Sequence, residues 1–255
     1  MISTSSSVSI YSSAISKVKT RVDLQPILGS SSATITLADG ALRLAPFSTS
    51  LGGGILTGGA TFDVAQMPPA MTLDATLRDA NIAGPVSGLK LDLLAGRANA
   101  TMRLSATGYS PSTLLATLQG DVALDVDDGV LTGFDLFRVQ LLAGRADRRN
   151  RAATEAGLRE ALAGGPTAFE RLELHGTASA GALTLHDTRL VGVAGKADFS
   201  GTIGLANSMV DLHLVLHPAI MDPPEIALRL VGKLDDPRRT PELAGFLRWL
   251  VERAQ

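Results

Sequence analysis

From about residue 32 the chain alternates apolar and polar positions in short runs separated by Gly, Asp, Asn or Pro. That period of two predicts antiparallel strands wet on one face. Ala33, Ile35 and Leu37 alternate with Thr34 and Thr36. Asp39-Gly40 then supplies a hairpin turn into ALRLAPF, since both residues suit the positive φ angles of a two-residue connection. Alternation returns at Phe62 and Val64, at Met71, Leu73, Ala75 and Leu77, at Met102, Leu104 and Ala106, and at Val122, Leu124 and Val126. The second half repeats it with Leu172 and Leu174, Leu183 and Leu185, Phe199, Ile203 and Leu205, Val210, Leu212, Leu214 and Leu216, then Ile226, Leu228 and Leu230. Runs of this length predict roughly a dozen strands.

Helical periodicity is rarer. Ser110-Pro111 reads as an N-cap and first-turn proline before a short helix ending at Gly120. Residues 134–163 carry FDLFRVQLLAG and ATEAGLREALAGG, two helices forming an insert between β runs. Near the C-terminus, Thr240-Pro241-Glu242 predicts the start of an amphipathic helix, with Leu243, Phe246, Leu247, Leu250 and Val251 on one face. Residues 1–31 form a poorly defined N-terminal segment with one possible strand around Lys17–Leu24.

Composition narrows the function classes. With 255 residues, 45% of them apolar, the chain can build a real core. A net charge of −2 and 4% aromatic residues offer neither the basic footprint nor the stacking rings of a nucleic-acid binder. The absence of cysteine removes thiol catalysis, thiolate metal sites and disulfides. No basic n-region leads into an apolar segment, and no run approaches the roughly 18 apolar residues of a membrane span.

Candidate chemistry resolves into plainer readings. DVDDGVLTGFDL at 125–136 has its glycine fifth and Leu136 where a calcium loop needs a bidentate Glu. Alternation puts Asp121, Asp125 and Asp127 on the solvated face of a strand, with Asp128-Gly129 as a turn. The run LGGGILTGG at 51–59 is followed by strand-like sequence, so it reads as a hairpin bend and not as a phosphate loop. His213 and His217 sit in VDLHLVLHP, which has period two; on a strand, positions four apart are about 13 Å from each other, too far to share an ion. Neither a GxSxG elbow nor an HExxH pair occurs, so no catalytic residues, metal ligands or cofactor are assigned. The basic run GRADRRNR at 144–151 reads as a solvated inter-helix loop, with anionic lipid contact as the alternative.

The order of features resembles the C-terminal domain of the AsmA family of Gram-negative envelope proteins. TLADGALRLAPFSTSLGGGILTGGATFDV is followed by MTLDATLRDANI, and a short helix then precedes LQGDVALDVDDGVLTGFDLFRVQLLAG. Gly120, Leu124, Gly129, Leu131, Gly133, Asp135 and Leu136 fit the family passage G-x-x-x-L-x-x-x-x-G-x-L-x-G-x-D-L. The closing segments at 167–190, 196–216 and 226–250 are similar to the family's last module, so the resemblance covers residues 32–255, with the helical insert near 134–163.

The resemblance implies a mainly β fold: a large curved antiparallel β-sheet forming a groove, with a few short helices including the C-terminal amphipathic one. It further implies a periplasmic, inner-membrane-associated protein of outer-membrane biogenesis, related to bridge-like lipid-transfer proteins and carrying no enzymatic activity. Phospholipid is the expected ligand, its acyl chains shielded in the groove for lipid transport. Leu172, Leu174, Leu212, Leu214, Leu216, Leu228 and Leu230 are the candidate lining, against plain core packing as the alternative. A competing expectation is a lipid-free scaffold that influences outer-membrane protein assembly through other envelope proteins. The family's N-terminal membrane helix has no counterpart in this sequence, so the chain is expected to be a C-terminal piece or a truncated paralogue, with its anchor supplied by a missing segment.

Overall fold

The computed structural model describes residues 18–21, 31–83 and 91–252. The sequence reading of segment 1–31 falls outside them, apart from Ser31 and a strand at Val18–Arg21 (β1).

The alternating runs become β2 (Ser31–Ala38), β3 (Ala41–Leu51), β4 (Gly54–Asp63), β5 (Ala70–Ala83), β6 (Leu93–Thr107) and β7 (Gln119–Thr132). After a helical insert come β8 (Pro166–Ser179), β9 (Ala182–Gly192), β10 (Gly195–Gly204), β11 (Met209–Pro218), β12 (Ile226–Lys233) and β13 (Asp236–Glu242). They make one antiparallel sheet in which every strand lies beside its sequence neighbours. This is the arrangement that short connections favour. Four helices complete the described fold: α1 (Pro111–Ala116), α2 (Leu136–Gly144), α3 (Arg151–Ala163) and α4 (Ala244–Glu252). The mainly β expectation with a few short helices, one of them C-terminal, therefore holds.

Turn chemistry fixes the hairpins. Asp39 and Gly40 carry φ of 53° and 76° between β2 and β3, and Gly52 and Gly53 carry 58° and 79° between β3 and β4. Both pairs match the two-residue turn with positive φ throughout.

Three local expectations are corrected. Asp128-Gly129 is no hairpin turn: β7 runs straight through it, with Asp128 at φ 52°. Gly129 is needed there because a Cβ would strike the Phe169 ring and lie 2.7 Å from the Ala95 carbonyl oxygen. Helix α1 ends at Ala116, short of Gly120, which lies within β7 at φ 137° with the Arg103 carbonyl where a Cβ would stand. Thr240-Pro241-Glu242 belongs to β13, paired with β12, so α4 starts only at Ala244.

The chain forms two compact units interleaved along the sequence. The first takes Met1–Asn81, Ala98–Ala123 and Thr177–Ala182; the second takes Ile82–Arg97, Leu124–Gly176 and Leu183–Gln255.

The second unit has a filled core. Helix α2 packs on α3 and against β10 and β11, while α4 lies on β12. Beneath them, Val210, Leu212, Leu214 and Leu216 alternate inward along β11 and meet Leu230, Leu228 and Ile226 of β12 in register. Phe134 and Phe199 add rings 6.3 Å apart, and Phe246 and Trp249 of α4 meet at 6.0 Å with their planes tilted by 30°. Asp135 caps α2 by accepting the Arg138 backbone N–H at 2.8 Å. Buried Thr167 braces the same corner, its hydroxyl donating to the Phe134 carbonyl at 2.6 Å and accepting the Leu136 N–H at 3.1 Å.

Candidate functional site

Strand register sorts the first unit's side chains onto two faces. Leu37 pairs with Leu42, Leu42 with Phe62 and Phe62 with Met71. The next row runs Ile35, Leu44, Ala60, Leu73, and the one after it Ala33, Phe47, Gly58, Ala75. Leu56 faces Leu77 beyond them. Because directly paired residues share a face, the first three rows are one continuous apolar surface across β2–β5, and Leu56–Leu77 extends it on β4 and β5 alone, with Thr49 and Ser31 completing that row on β3 and β2. A bulge between Leu44 and Phe47 keeps the alternation in phase with the rows despite the intervening Ala45-Pro46. The opposite face carries Thr36, Arg43, Thr61 and Thr72 in one row and Ser48, Thr57 and Thr76 in another.

The apolar face is uncovered to a degree that no core is. Leu37 is 49% and Leu42 45% exposed, and Leu44, Phe62, Met71, Leu73 and Leu77 are all half-buried. Among the described residues the first unit carries a single helix, the six-residue α1, which has no buried residue. Gly58 shapes the middle of the surface, since a Cβ there would press on the Phe47 ring at 2.8 Å. Three inter-strand gaps of about 4.8 Å and four residues of rise make the three full rows roughly 14 by 13 Å, near 190 Å², and Leu56 with Leu77 carries the surface to about 20 Å along β4 and β5. Its length also exceeds the roughly 15 Å that one acyl chain occupies in half a bilayer core.

The leucines singled out from the sequence sit elsewhere. Leu214, Leu216, Leu228 and Leu230 are 0% exposed, Leu212 2% and Leu172 7%; only Leu174 keeps partial exposure. All seven belong to the second unit, and those of β11 and β12 lie in its packed core. The apolar face of β2–β5 was not singled out from the sequence. Its alternation was legible, but nothing in a strand's own pattern says whether a helix will cover it.

The histidines behave as strand spacing required. His213 reaches Glu242 at 3.3 Å and His217 reaches Asp198 at 3.3 Å, each towards a different carboxylate. Among the described residues no three His, Asp or Glu side chains gather to hold a metal ion. Outward positions of the second unit are instead zipped by ion pairs. Arg189 donates to Asp198 at 2.6 Å and Arg229 to Asp211 at 3.0 Å, and each carboxylate's hydrogen bond raises its guanidinium above the ordinary value. On the helices Arg138 donates to Glu160 at 2.7 Å, holding that carboxyl below its usual range. Arg239 donates to the Gly133 carbonyl, and partial burial lowers its guanidinium from the ordinary value. A further apolar cleft of about 420 Å³ lies in the second unit, where Phe137 and Val193 stand exposed beside Val130, Pro166 and Phe169.

These features define a mainly β chain whose conspicuous surface is an apolar sheet face rather than a cluster of reactive groups. The profile of the AsmA family matches residues 16–188, more than half of the sequence, and the chain belongs to that family. No curated protein and no solved structure matches it. The motif glycines and acid that carried the resemblance have structural duties: Gly120 and Gly129 admit close neighbours, Gly133 presents its carbonyl to Arg239, and Asp135 starts α2. Family membership supports an envelope-related function. No helix among the described residues is long and apolar enough to cross a membrane.

Proposed function

We propose that this chain is a non-enzymatic envelope-biogenesis protein that shields phospholipid acyl chains along the apolar face of β2–β5, acting in lipid transport or outer-membrane assembly. The observation that carries the reading is the set of apolar rows from Leu37–Leu42–Phe62–Met71 to Ala33–Phe47–Gly58–Ala75, with Leu56–Leu77 beyond them on β4 and β5, whose large side chains stay exposed or half-buried. Acyl chains are a chemically suitable cover, because they bury apolar area without demanding hydrogen bonds from a surface made chiefly of apolar side chains. Membership of the AsmA family supports a periplasmic site of action in association with the inner membrane. The second unit contributes rigidity, its leucines packed on one another and closed to ligand.

Native mass spectrometry of the purified chain, with organic extraction of what it carries, tests this. A phospholipid released in a stoichiometric step on activation supports the reading, and its loss in Leu73→Asp locates it. A lipid-free protein that also takes up no lipid from micelles sinks it. That result would favour the second reading, a scaffold for other envelope proteins. The filled second-unit core and the exposed Phe137 and Val193 around their cleft support that alternative.

A further inference from the structure

Ten of the second unit's arginines fall into two groups; Arg239 serves the Gly133 carbonyl, and Arg97 of β6 and Arg238 of β13 are exposed and stand outside both. Arg138, Arg159, Arg171, Arg189 and Arg229 each lie within 4 Å of a carboxylate. Among the described residues Arg145, Arg148, Arg149, Arg151 and Arg248 have no such partner, and all five are exposed. Chain folding gathers this second group. The α2–α3 connection is a tight loop locked on itself: the Asp147 carboxylate accepts the backbone N–H groups of Arg149 and Asn150 at 2.7 and 2.8 Å, while the Asn150 side chain returns to Asp147 N–H at 2.8 Å and to the Arg145 carbonyl at 2.9 Å. Arg148 then reaches the Val251 carbonyl at 3.4 Å, setting the loop beside the last turn of α4. Between them lies an open cleft of about 310 Å³ lined by Arg151, Leu247, Arg248, Val251 and Glu252.

Two physical points make this more than a solvated loop. Arg151 is the first residue of α3, where the positive end of the helix dipole opposes a cation, and no acid stands in that first turn to compensate. Local stability is therefore not what the charge serves. The nearby acids are few: Asp147 is engaged with backbone N–H groups, and Glu252 is the one carboxylate lining the cleft.

We infer that this end of the second unit, built from the α2–α3 loop and the C-terminal turn of α4, docks on an anionic phospholipid bilayer surface. The arginines match headgroup phosphates in charge and fork geometry. Val251, 49% exposed, and half-buried Leu247 beside them supply the apolar component of an interfacial contact. Nucleic acid shares the phosphate chemistry but gains nothing from exposed aliphatic side chains, and this patch presents no aromatic ring for a base to stack on. The inference rests on these charges and not on the acyl-chain reading of β2–β5, so either can fail alone.

Co-sedimentation of the whole chain with phosphatidylglycerol-containing vesicles, and with phosphatidylcholine vesicles, is the test. Binding to the anionic vesicles alone is expected, and it should fall away as salt rises from about 0.05 to 0.5 M and screening tightens. Each arginine near such a surface strengthens partitioning by about five-fold, so R145Q/R149Q, which leaves the Arg148 contact intact, should weaken binding by about 25-fold. R189Q, on the ion-paired sheet face, should leave it unchanged. Unaltered Trp249 fluorescence would establish that R145Q/R149Q is folded. Equal binding to both vesicles, no binding to either, or an R145Q/R149Q variant that binds like the parent overturns the inference. Preference for a duplex oligonucleotide over vesicles overturns it in favour of nucleic acid.

Discussion

Replacing Leu214 by Ala separates a core leucine from a ligand-facing one. Leu214 is 0% exposed, lies on β11 between its register partners Phe199 and Leu228, and sits under the helices that pack on β10–β12. Losing three buried carbons forfeits about 2.4 kcal/mol of transfer free energy at ~0.8 kcal/mol per methylene, and an imperfectly collapsing cavity adds to it, giving about 3–4 kcal/mol. Trp249 is the chain's single tryptophan and lies in the same unit, so its fluorescence follows that unit's unfolding in urea. With a denaturant dependence of about 2 kcal/mol per molar, the midpoint should fall by about 1.5–2 M. Leu73→Ala, on the half-buried face, removes atoms that water already reaches and leaves no closed cavity. Far-UV circular dichroism should register about 1 kcal/mol or less. A Leu214→Ala midpoint shift below about 0.3 M, or a larger loss for Leu73→Ala, would refute the assignment of filled core and open face.

Three further outcomes follow from the same geometry. Thr167→Val keeps the shape but leaves the Phe134 carbonyl and the Leu136 N–H without the hydroxyl that now serves both, so it should lower stability by about 2 kcal/mol in the urea titration. Gly129→Ala should cost about 1–3 kcal/mol, since the new methyl meets the Phe169 ring and the Ala95 carbonyl, and thermal melting reads the loss. The Glu160 carboxyl is held below its usual range by Arg138, so its contribution is present above the unfolded-state value near 4.5 and lost as pH falls through the lower folded-state value. The stability difference between parent and Glu160→Gln, small for so exposed a pair, should therefore shrink on acidification below that point and stay flat above it.

Much of the fold was legible because strands and helices announce themselves by different periods. Asp39-Gly40 and Gly52-Gly53 fixed hairpins through their positive φ, and the apolar spacing of 134–163 marked α2 and α3. Asp128-Gly129 looks equally turn-like, yet it serves as a close-contact point inside β7; the Phe169 ring that explains its glycine comes from a strand some forty residues later. Thr240-Pro241 carries a convincing helix-start pattern, but pairing with β12 captures it as strand first.

The candidate site was less legible. Leu214 and Leu73 have the same alternating surroundings, and helix packing on β10–β12 buries the first while the second stays half-buried. A hint was present: among the described residues the longer helical segments all lie after residue 133, so the strands of the second half had a cover available in sequence and those of the first half had α1 alone.

The acyl-chain reading is tested most directly by placing a photo-crosslinking amino acid at Leu73, and separately at Thr72, which points to the opposite face. After irradiation in the presence of phospholipid, the account predicts lipid adducts from position 73 and none above background from position 72. Equal adducts from the two faces, or none from position 73 in a folded protein, would contradict it.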